Sequence, residues 1–175
     1  MTWLPTIAVA RPIAHNFIRG GMHKPLHGLV LHIQQGTEGG TFRWFNNPRS
    51  KVSAHFGNPK RGALEQFVRI DDVAFAEARG NRDWISVENE GVAGDALTNS
   101  QVNNVAGLLG WLRWYRSVPL RLANSPTEFG LGFHAMGGRP WGGHTACPGA
   151  RIVEQRMLIL ERAGFWRPPT RPVSC

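Results

Sequence analysis

Residues 28–33 constrain the fold most, because they form a continuous apolar run, Gly-Leu-Val-Leu-His-Ile, that is interrupted only by His32. A short run of this kind, bounded by turn residues, is typical of a strand buried on both faces of a sheet. A Gly-rich loop, residues 35–40, follows it directly. A histidine at the end of such a strand can point out of the rim of the sheet. Taken alone, His32 is more typical of a core histidine that is bonded to a carbonyl.

The length of 175 residues favours one domain with a sizeable core. Charged residues make up only 18% of the chain, below the usual ~25%, and the 21 glycines and 12 prolines indicate many turns. We divide the single domain, 1–175, into an irregular N-terminal arm (1–27), a core (28–164) and a Pro-rich tail (165–175). No apolar run is long enough to predict a membrane span, and the first residues do not resemble a signal peptide.

The formal net charge of +8 favours polyanionic partners such as nucleic acid, an anionic membrane surface or the bacterial wall. The basic residues are scattered along the chain. No helix-turn-helix, zinc-finger or RNA-binding signature accompanies them, so we expect no nucleic-acid partner.

Hydrophobic periodicity predicts the remaining elements and a mixed α/β domain with one central β-sheet flanked by helices. Thr98 and Gln101 have the spacing of a capping box, which predicts a helix from Thr98 to about Tyr115. The residues between this helix and the last one read as a long loop, 119–143, and loops of that length are usually functional. The other predicted elements are strands at 52–56, 64–70, 73–78 and 84–90, and helices at 41–46 and 150–163.

Two histidines and a cysteine from opposite ends of the chain are the ligands that a catalytic zinc site needs. Such a site has three protein ligands and an open fourth position, whereas a structural zinc uses four, and the chain has no Cys-x-x-Cys pair. His32, His134 and Cys147 are the candidates, with His144 as a competitor because His144-x-x-Cys147 also has plausible metal spacing. Cys175, the last residue, reads as a free thiol in a loose tail.

These residues lie in segments that resemble the zinc-dependent N-acetylmuramoyl-L-alanine amidases of the type 2 class. That family shares its fold with phage amidase-type lysozymes and animal peptidoglycan recognition proteins. The resemblance runs from about Gly28 to Gly149, and its parts occur in the family's order. They are Leu-Val-Leu-His at 29–32, Val-Ser-Ala-His-Phe at 52–56, Trp-Ile-Ser-Val-Glu-Asn-Glu-Gly at 84–91, Gly-Leu-Gly-Phe-His at 130–134 and Thr-Ala-Cys-Pro-Gly at 145–149.

The resemblance implies one zinc ion with His32, His134 and Cys147 as ligands; some members carry aspartate in place of the cysteine. It implies that Glu88 is the catalytic base, because Ala54 stands where other branches of the family use a tyrosine. Several amidases place a lysine two positions before the third ligand, and this chain has Thr145 there. Stabilisation of the oxyanion is therefore left open among His144, Thr145 and the zinc itself.

The resemblance also suggests where substrate binds. Arg79 and Asn81 stand near the positions that contact the carboxylates of the wall peptide, although a solvated charge is the common role of an exposed arginine. Trp44, Phe45 and Trp141 could line a sugar groove, with core packing as the alternative. His55 is expected to be structural.

The implied function is hydrolysis of the amide between N-acetylmuramic acid and L-alanine in peptidoglycan. The alternative is a module that binds muropeptides without cutting them, although non-catalytic members typically lose the third ligand. A zinc peptidase of another fold is disfavoured because His-Glu-x-x-His is absent. We expect a monomer made in the cytoplasm that degrades the cell wall after release by a holin or a secretion system. A wall-recycling enzyme remains open, and an immunity protein is a partner only if the chain is a delivered effector.

Overall fold

A computed structural model describes Leu4 and residues 6–168 of the chain. Cys175 and most of the Pro-rich tail lie outside the described residues. The strands are β1 (Ala8–Ala10), β2 (Phe17–Gly21), β3 (Gly28–Ile33), β4 (Phe56–Asn58), β5 (Leu64–Gln66), β6 (Asp72–Ala74), β7 (Trp84–Asn89) and β8 (Gly130–Phe133). The α-helices are α1 (Glu38–Phe45), α2 (Asn99–Arg116), α3 (Ala150–Glu154) and α4 (Arg156–Gly164).

Six of these strands form one mixed sheet in the order β1-β5-β4-β7-β3-β8. β3 lies between β7 and β8 and is parallel to both, so its residues are covered on both edges as well as both faces. β4 is parallel to β7 and antiparallel to β5. The predicted architecture, one central sheet flanked by helices, is confirmed, and all six residues of β3 are buried as the apolar run predicts.

The two faces of the central strands pack against different apolar clusters. Leu29, Leu31 and Val87 pack with α2 and α4 in the main apolar core. Val30 and Trp84 belong to a separate apolar cluster. Because side chains alternate along a strand, His32 lies on the same face as Val30, away from α2.

Helix α2 begins where the sequence predicts. The Thr98 side chain accepts a hydrogen bond from the backbone N–H of Gln101, and the Gln101 side chain accepts one from the backbone N–H of Thr98. This reciprocal pair satisfies two backbone donors that the first turn leaves unpaired. The predicted capping box is confirmed.

Several predicted boundaries are wrong. The strands at 52–56, 64–70 and 73–78 are each only three residues long in the structure, and the helix expected at 41–46 starts at Glu38 after an N-cap at Thr37. The arm 1–27, predicted to be irregular, contains β1 and β2, which pair with β5 and β6. The expected helix at 150–163 is two helices that meet at Gln155, whose side-chain amide bonds both backbone groups of Leu97.

The predicted loop at 119–143 contains the edge strand β8. Its sequence, Gly-Leu-Gly-Phe, has a low intrinsic preference for strands, because glycine offers no side chain to pack. The strand forms because the glycines allow close pairing. A Cβ on Gly28 would lie 1.8 Å from the carbonyl oxygen of Gly130 on β8.

We therefore predict that Gly28→Ala destabilises the protein by about 1–3 kcal/mol, because β3 and β8 would have to move apart. Gly107→Ala on α2 is the matched control, since a Cβ there meets no atom within 4 Å. That change should stabilise the protein by about 0.5–1 kcal/mol, through the helix preference of alanine. Urea denaturation of the two variants measures both effects, and equal stabilities would contradict the prediction.

Among the described residues, none of the helices combines the length and the apolar character that crossing a membrane requires.

Candidate metal centre

The register of the central strands brings two predicted site residues together. β3 pairs with β7 so that His32 lies opposite Glu88, at the carboxyl ends of two parallel strands. His32 Nδ1 is 3.8 Å from Glu88 Oε1. The amide of Asn89, the next residue on β7, donates to the carbonyl oxygen of His32 and ties the two strand ends together.

The other two predicted ligands reach the same point from the C-terminal third of the chain. His134 directly follows β8, and Cys147 ends a series of tight turns at 142–147. The backbone N–H of Ala135 donates to the carbonyl oxygen of Cys147 and joins the two segments. One ligand atom each from His32, His134 and Cys147 lies within 4.8 Å of the others. His144, the competing ligand, is not part of this group, although its ring centroid is 4.8 Å from that of His134.

Both imidazoles are oriented by a hydrogen bond at Nε2. His32 Nε2 is 3.0 Å from Glu77 Oε1, and His134 Nε2 is 3.0 Å from the carbonyl oxygen of Trp141. Both partners are acceptors when Glu77 is ionised, so each histidine then carries its proton on Nε2. This arrangement leaves the Nδ1 lone pairs for a metal ion.

The imidazoles are also electrically neutral. Burial, followed by the nearby His144, lowers the pKa of His32 to about 3. Burial and the neighbouring His32 lower the pKa of His134 to about 3 as well. Neutral imidazole is the form that binds a metal. Burial, with Glu88 acting in the same direction, raises the pKa of the Cys147 thiol to about 12.

Two carboxyl groups flank the cluster, the fully buried Glu77 and the partly buried Glu88. Burial raises the pKa of Glu88 to about 8, and the carboxyls of Glu77 and Glu38 add to the shift. Burial also raises the pKa of Glu77 well above its usual range. Glu77 Oε2 and Glu88 Oε2 are buried without a hydrogen-bond partner among the described residues. Buried carboxylates without a counter-charge are costly, and a divalent cation would offset that cost.

The donor set fits zinc. Two histidine nitrogens and a cysteine sulfur are typical zinc ligands, and three protein ligands leave a fourth position open. Bonds of about 2.0–2.3 Å in tetrahedral geometry place neighbouring donor atoms roughly 3.3–3.8 Å apart, so a small contraction of the 4.8 Å cluster would close it on the ion.

The cluster opens into a cleft of about 710 Å³. His144 and Thr145 are exposed on one side of it, next to Cys147. Trp44, 55% exposed, lies on the wall formed by α1. Of the candidate substrate residues, Trp44 and Phe45 therefore line the cleft, although Phe45 is itself almost fully buried.

Three other candidates lie elsewhere. Arg79 is exposed outside the lining of the cleft. Asn81 bonds the backbone N–H groups of Ala76 and Glu77, so it shapes a loop. Trp141 is 3% exposed and packs edge-on against Trp84, away from the cleft lining; its carbonyl rather than its indole serves the site.

His55 lies where a structural role would place it. It is fully buried, with Nδ1 bonded to the Ser86 hydroxyl and Nε2 to the carbonyl oxygen of Asp72. These bonds fasten the segment before β4 to β7 and β6.

Two carboxyl groups, Glu77 and Glu38, could not be identified as part of the site from the sequence. Glu77 stands between Ala76 and Ala78, and a single charge in a short apolar stretch was the only signal available. The glycine-rich sequence at 35–40 predicts a loop at Glu38, whereas the structure places this residue in the first turn of α1. Its Oε2 accepts a hydrogen bond of 2.5 Å from the Gln34 amide, while Oε1 is buried without a partner among the described residues.

Glu38 predicts a pH-dependent stability. Burial raises its pKa from 4.5 to about 7, with Gln34 opposing the shift and Glu65 and Glu90 adding to it. A carboxyl whose pKa is higher in the folded state binds its proton more tightly there, so its stabilising contribution is full below pH 4.5 and is lost as pH rises through 7. Between these limits, the wild type should lose roughly 3 kcal/mol of unfolding free energy relative to Glu38→Gln.

Urea denaturation of the wild type and Glu38→Gln across this range measures the difference. The exposed Glu161, replaced by glutamine, controls for the loss of one surface charge. A constant difference between the wild type and Glu38→Gln at all pH values would contradict the prediction.

The sequence matches known amidases. Residues 22–150 fit the family model described as N-acetylmuramoyl-L-alanine amidase. The N-acetylmuramoyl-L-alanine amidase A of Achromobacter lyticus is 35% identical over 69 residues, which cover 39% of this chain and 39% of that protein. The match thus spans about two fifths of the length of that relative.

Solved structures share the fold at low identity. A selenomethionine derivative of AmpD superposes with a TM-score of 0.69 and 18% identity, covering 90% of this chain and 96% of its own. The Staphylococcus aureus hydrolase AmiA, in complex with its ligand, gives a TM-score of 0.68, 15% identity and coverage of 93% and 84%. PlyL gives a TM-score of 0.65, 18% identity and coverage of 90% and 96%. With the family model matching well over half of its length, the chain belongs to the N-acetylmuramoyl-L-alanine amidase family of the type 2 class.

Proposed function

We propose that this protein is a zinc-dependent amidase that cleaves the bond between the lactyl group of N-acetylmuramic acid and L-alanine in peptidoglycan. One observation carries the proposal. A partly buried carboxyl group, Glu88, lies beside a cluster of His32, His134 and Cys147, and all four residues line one cleft. Family membership and the Achromobacter lyticus amidase support the choice of substrate.

His32, His134 and Cys147 would hold the metal ion through Nδ1, Nδ1 and Sγ. Zinc bound there supplies a Lewis acid that polarises the scissile carbonyl and acidifies a water molecule. The protein's own contribution is to keep both imidazoles neutral and oriented before the ion binds.

Glu88 is the proton carrier. Its carboxyl group points toward the metal cluster and has one oxygen, Oε2, that is free of protein partners among the described residues. It takes the proton from the attacking water and passes it to the nitrogen of the leaving L-alanine. The amine thus departs neutral, and the carboxylate returns to its starting state.

Groups on the rim of the cleft handle the rest of the substrate. His144, whose ring centroid is 4.8 Å from that of His134, and Thr145, which lines the same cleft, are the proposed donors to the oxyanion that forms at the carbonyl. Trp44 offers an exposed aromatic face on the wall formed by α1, suited to the apolar side of a sugar or a peptide stem. Arg79 and Asn81 keep their proposed role toward peptide carboxylates only if the peptide extends beyond the cleft.

We propose further that the enzyme lyses cell walls, as a phage endolysin or a delivered effector, and acts as a monomer. The net charge of +8 supports this role, because the wall is anionic and a cationic protein concentrates on it.

The test is the chemistry of the released product. Purified peptidoglycan is incubated with the zinc-loaded protein, and new amino termini are labelled and identified. The proposal expects L-alanine amino termini and intact glycan strands. Release of reducing sugars, or of amino termini other than L-alanine, would overturn the assignment of the bond. Binding of muropeptide without any release would favour the non-catalytic module.

A further inference from the structure

Glu77 makes a contact with His32 that the proposed mechanism does not use. Its side chain is fully buried, and Oε1 lies 3.0 Å from His32 Nε2. Glu88 lies on the other side of the same ring, at Nδ1. His32 is therefore held between two carboxyl groups, of which Glu88 faces the metal cluster and Glu77 lies behind the ring.

The loop that carries Glu77 is tightly specified. The Asn81 side chain accepts hydrogen bonds from the backbone N–H groups of Ala76 and Glu77, at 3.0 and 2.6 Å. The carbonyl oxygen of Glu77 accepts from Gly80 N–H. Ala78 has a φ of 47°, in the left-handed region that an alanine rarely adopts. A residue keeps such a conformation only where its surroundings impose it.

The same loop abuts the segment that orients the second imidazole. A Cβ on Gly80 would lie 2.6 Å from Trp141 Cε2, so the loop and Trp141 are in close contact. The carbonyl of Trp141 in turn accepts from His134 Nε2. The acceptors behind both imidazoles thus belong to two segments packed directly on each other.

Glu77 lacks the partners that usually accompany a buried carboxyl group. Oε2 has no hydrogen-bond partner among the described residues, and no lysine or arginine pairs with the carboxyl group there. A group of this kind destabilises a fold unless a nearby positive charge offsets it. The metal cluster lies on the opposite side of the His32 ring, and a cation bound there would supply that positive charge.

We propose that Glu77 is a positioning residue that accepts the Nε2–H hydrogen bond of His32 and thereby holds its Nδ1 toward the metal. The inference rests on the proposed metal site and extends it to a residue that is not itself a ligand. Hydrogen bonding from a ligand imidazole to a carboxylate fixes the ring orientation and increases the basicity of the ligating nitrogen.

The test compares two substitutions of similar volume. Glu77→Gln keeps a hydrogen-bond acceptor at the position, whereas Glu77→Met fills the space without one. Zinc affinity of the full chain is measured by competition with a chromophoric chelator, and the ligand geometry by the visible spectrum of the Co²⁺-loaded protein. We expect Glu77→Met to bind zinc about 10- to 100-fold more weakly than wild type and to change the Co²⁺ spectrum. Glu77→Gln should retain more of the affinity and a spectrum closer to wild type.

Asp83→Asn is the matched control. Asp83 Oδ1 makes the same type of contact, 2.8 Å to His23 Nδ1, but at the surface and away from the metal cluster. It should bind zinc as the wild type does. Circular dichroism of the metal-free proteins establishes that each variant is folded.

A measurement on the wild type is independent of any folding defect. Nitrogen-15 NMR of the His32 ring in the zinc-loaded protein should show the proton on Nε2 and the metal on Nδ1, and the reverse assignment would overturn the inference. Equal zinc affinities of Glu77→Met and Glu77→Gln would overturn it as well. Zinc binding without peptidoglycan hydrolysis would instead remove the proposed function and leave this inference standing, whereas a wild type that binds no zinc removes both.

Discussion

Replacing Glu88 with glutamine is expected to lower amide hydrolysis by about 10²- to 10⁴-fold, the range that a positioned general acid–base group contributes. The amide fills the same space but can neither take a proton from water nor return it to the leaving amine. Glu88 is not one of the three clustered ligands, so the variant should keep about one zinc per chain. Released L-alanine amino termini and metal content are measured on the same sample.

Glu90→Gln is the control for this experiment. Glu90 follows β7 two residues after Glu88, but its side chain accepts hydrogen bonds from the backbone N–H groups of Lys60 and Glu38. Glutamine keeps one of these two bonds through its single carbonyl oxygen, and neither bond involves a residue of the metal cluster, so near-normal turnover is expected. If Glu88→Gln retained wild-type turnover with zinc bound, Glu88 would not be the base.

Replacing Cys147 with serine should remove both the metal and the activity. The hydroxyl of serine is a much poorer zinc ligand than a thiolate, and the two remaining imidazoles do not make a stable site. Zinc affinity should fall by more than the roughly 10- to 100-fold loss that follows removal of a ligand's hydrogen-bond partner. Chelator competition measures the affinity, and peptidoglycan digestion with excess zinc measures the residual activity.

Cys147→Asp is the control for this prediction. Carboxylate is an accepted zinc ligand, and some amidases of this type carry aspartate at the position of the third ligand. It should recover part of the zinc affinity and part of the turnover. Full activity of Cys147→Ser in the absence of zinc would exclude the metal mechanism.

The functional segments could be predicted from sequence because they are local. An apolar run that ends in His32 identifies a buried strand without knowledge of its neighbours, and the Thr98 and Gln101 pair identifies the start of α2. The five motifs of the family resemblance span residues 29–149. They contain, in order, the implied ligands and base His32, Glu88, His134 and Cys147. In the structure, these four residues lie at one end of the parallel strands β3, β7 and β8.

Other features could not be predicted from the sequence, because a partner distant in sequence decides them. β8 contains two glycines in four residues and shows no strand periodicity, so its formation depends on the backbone of β3. For Trp141 the sequence leaves a sugar groove and core packing both open, and close contact with Gly80, a residue distant in sequence, decides for packing. Neither the pairing of β8 with β3 nor this contact leaves a trace in the local pattern.

The sequence by itself determined that the central strand is buried, that α2 starts at its capping box, and which residue types stand at the family's ligand and base positions. Only the tertiary structure decided that His32 lies opposite Glu88 in register, that Glu77 lies behind His32, and that the carbonyl of Trp141 orients His134. The physical reason is that propensity, capping and binary pattern act over a few residues. The contacts of His32 with Glu77 and Glu88 join residues 45 and 56 positions apart, and they are set only when the whole core packs.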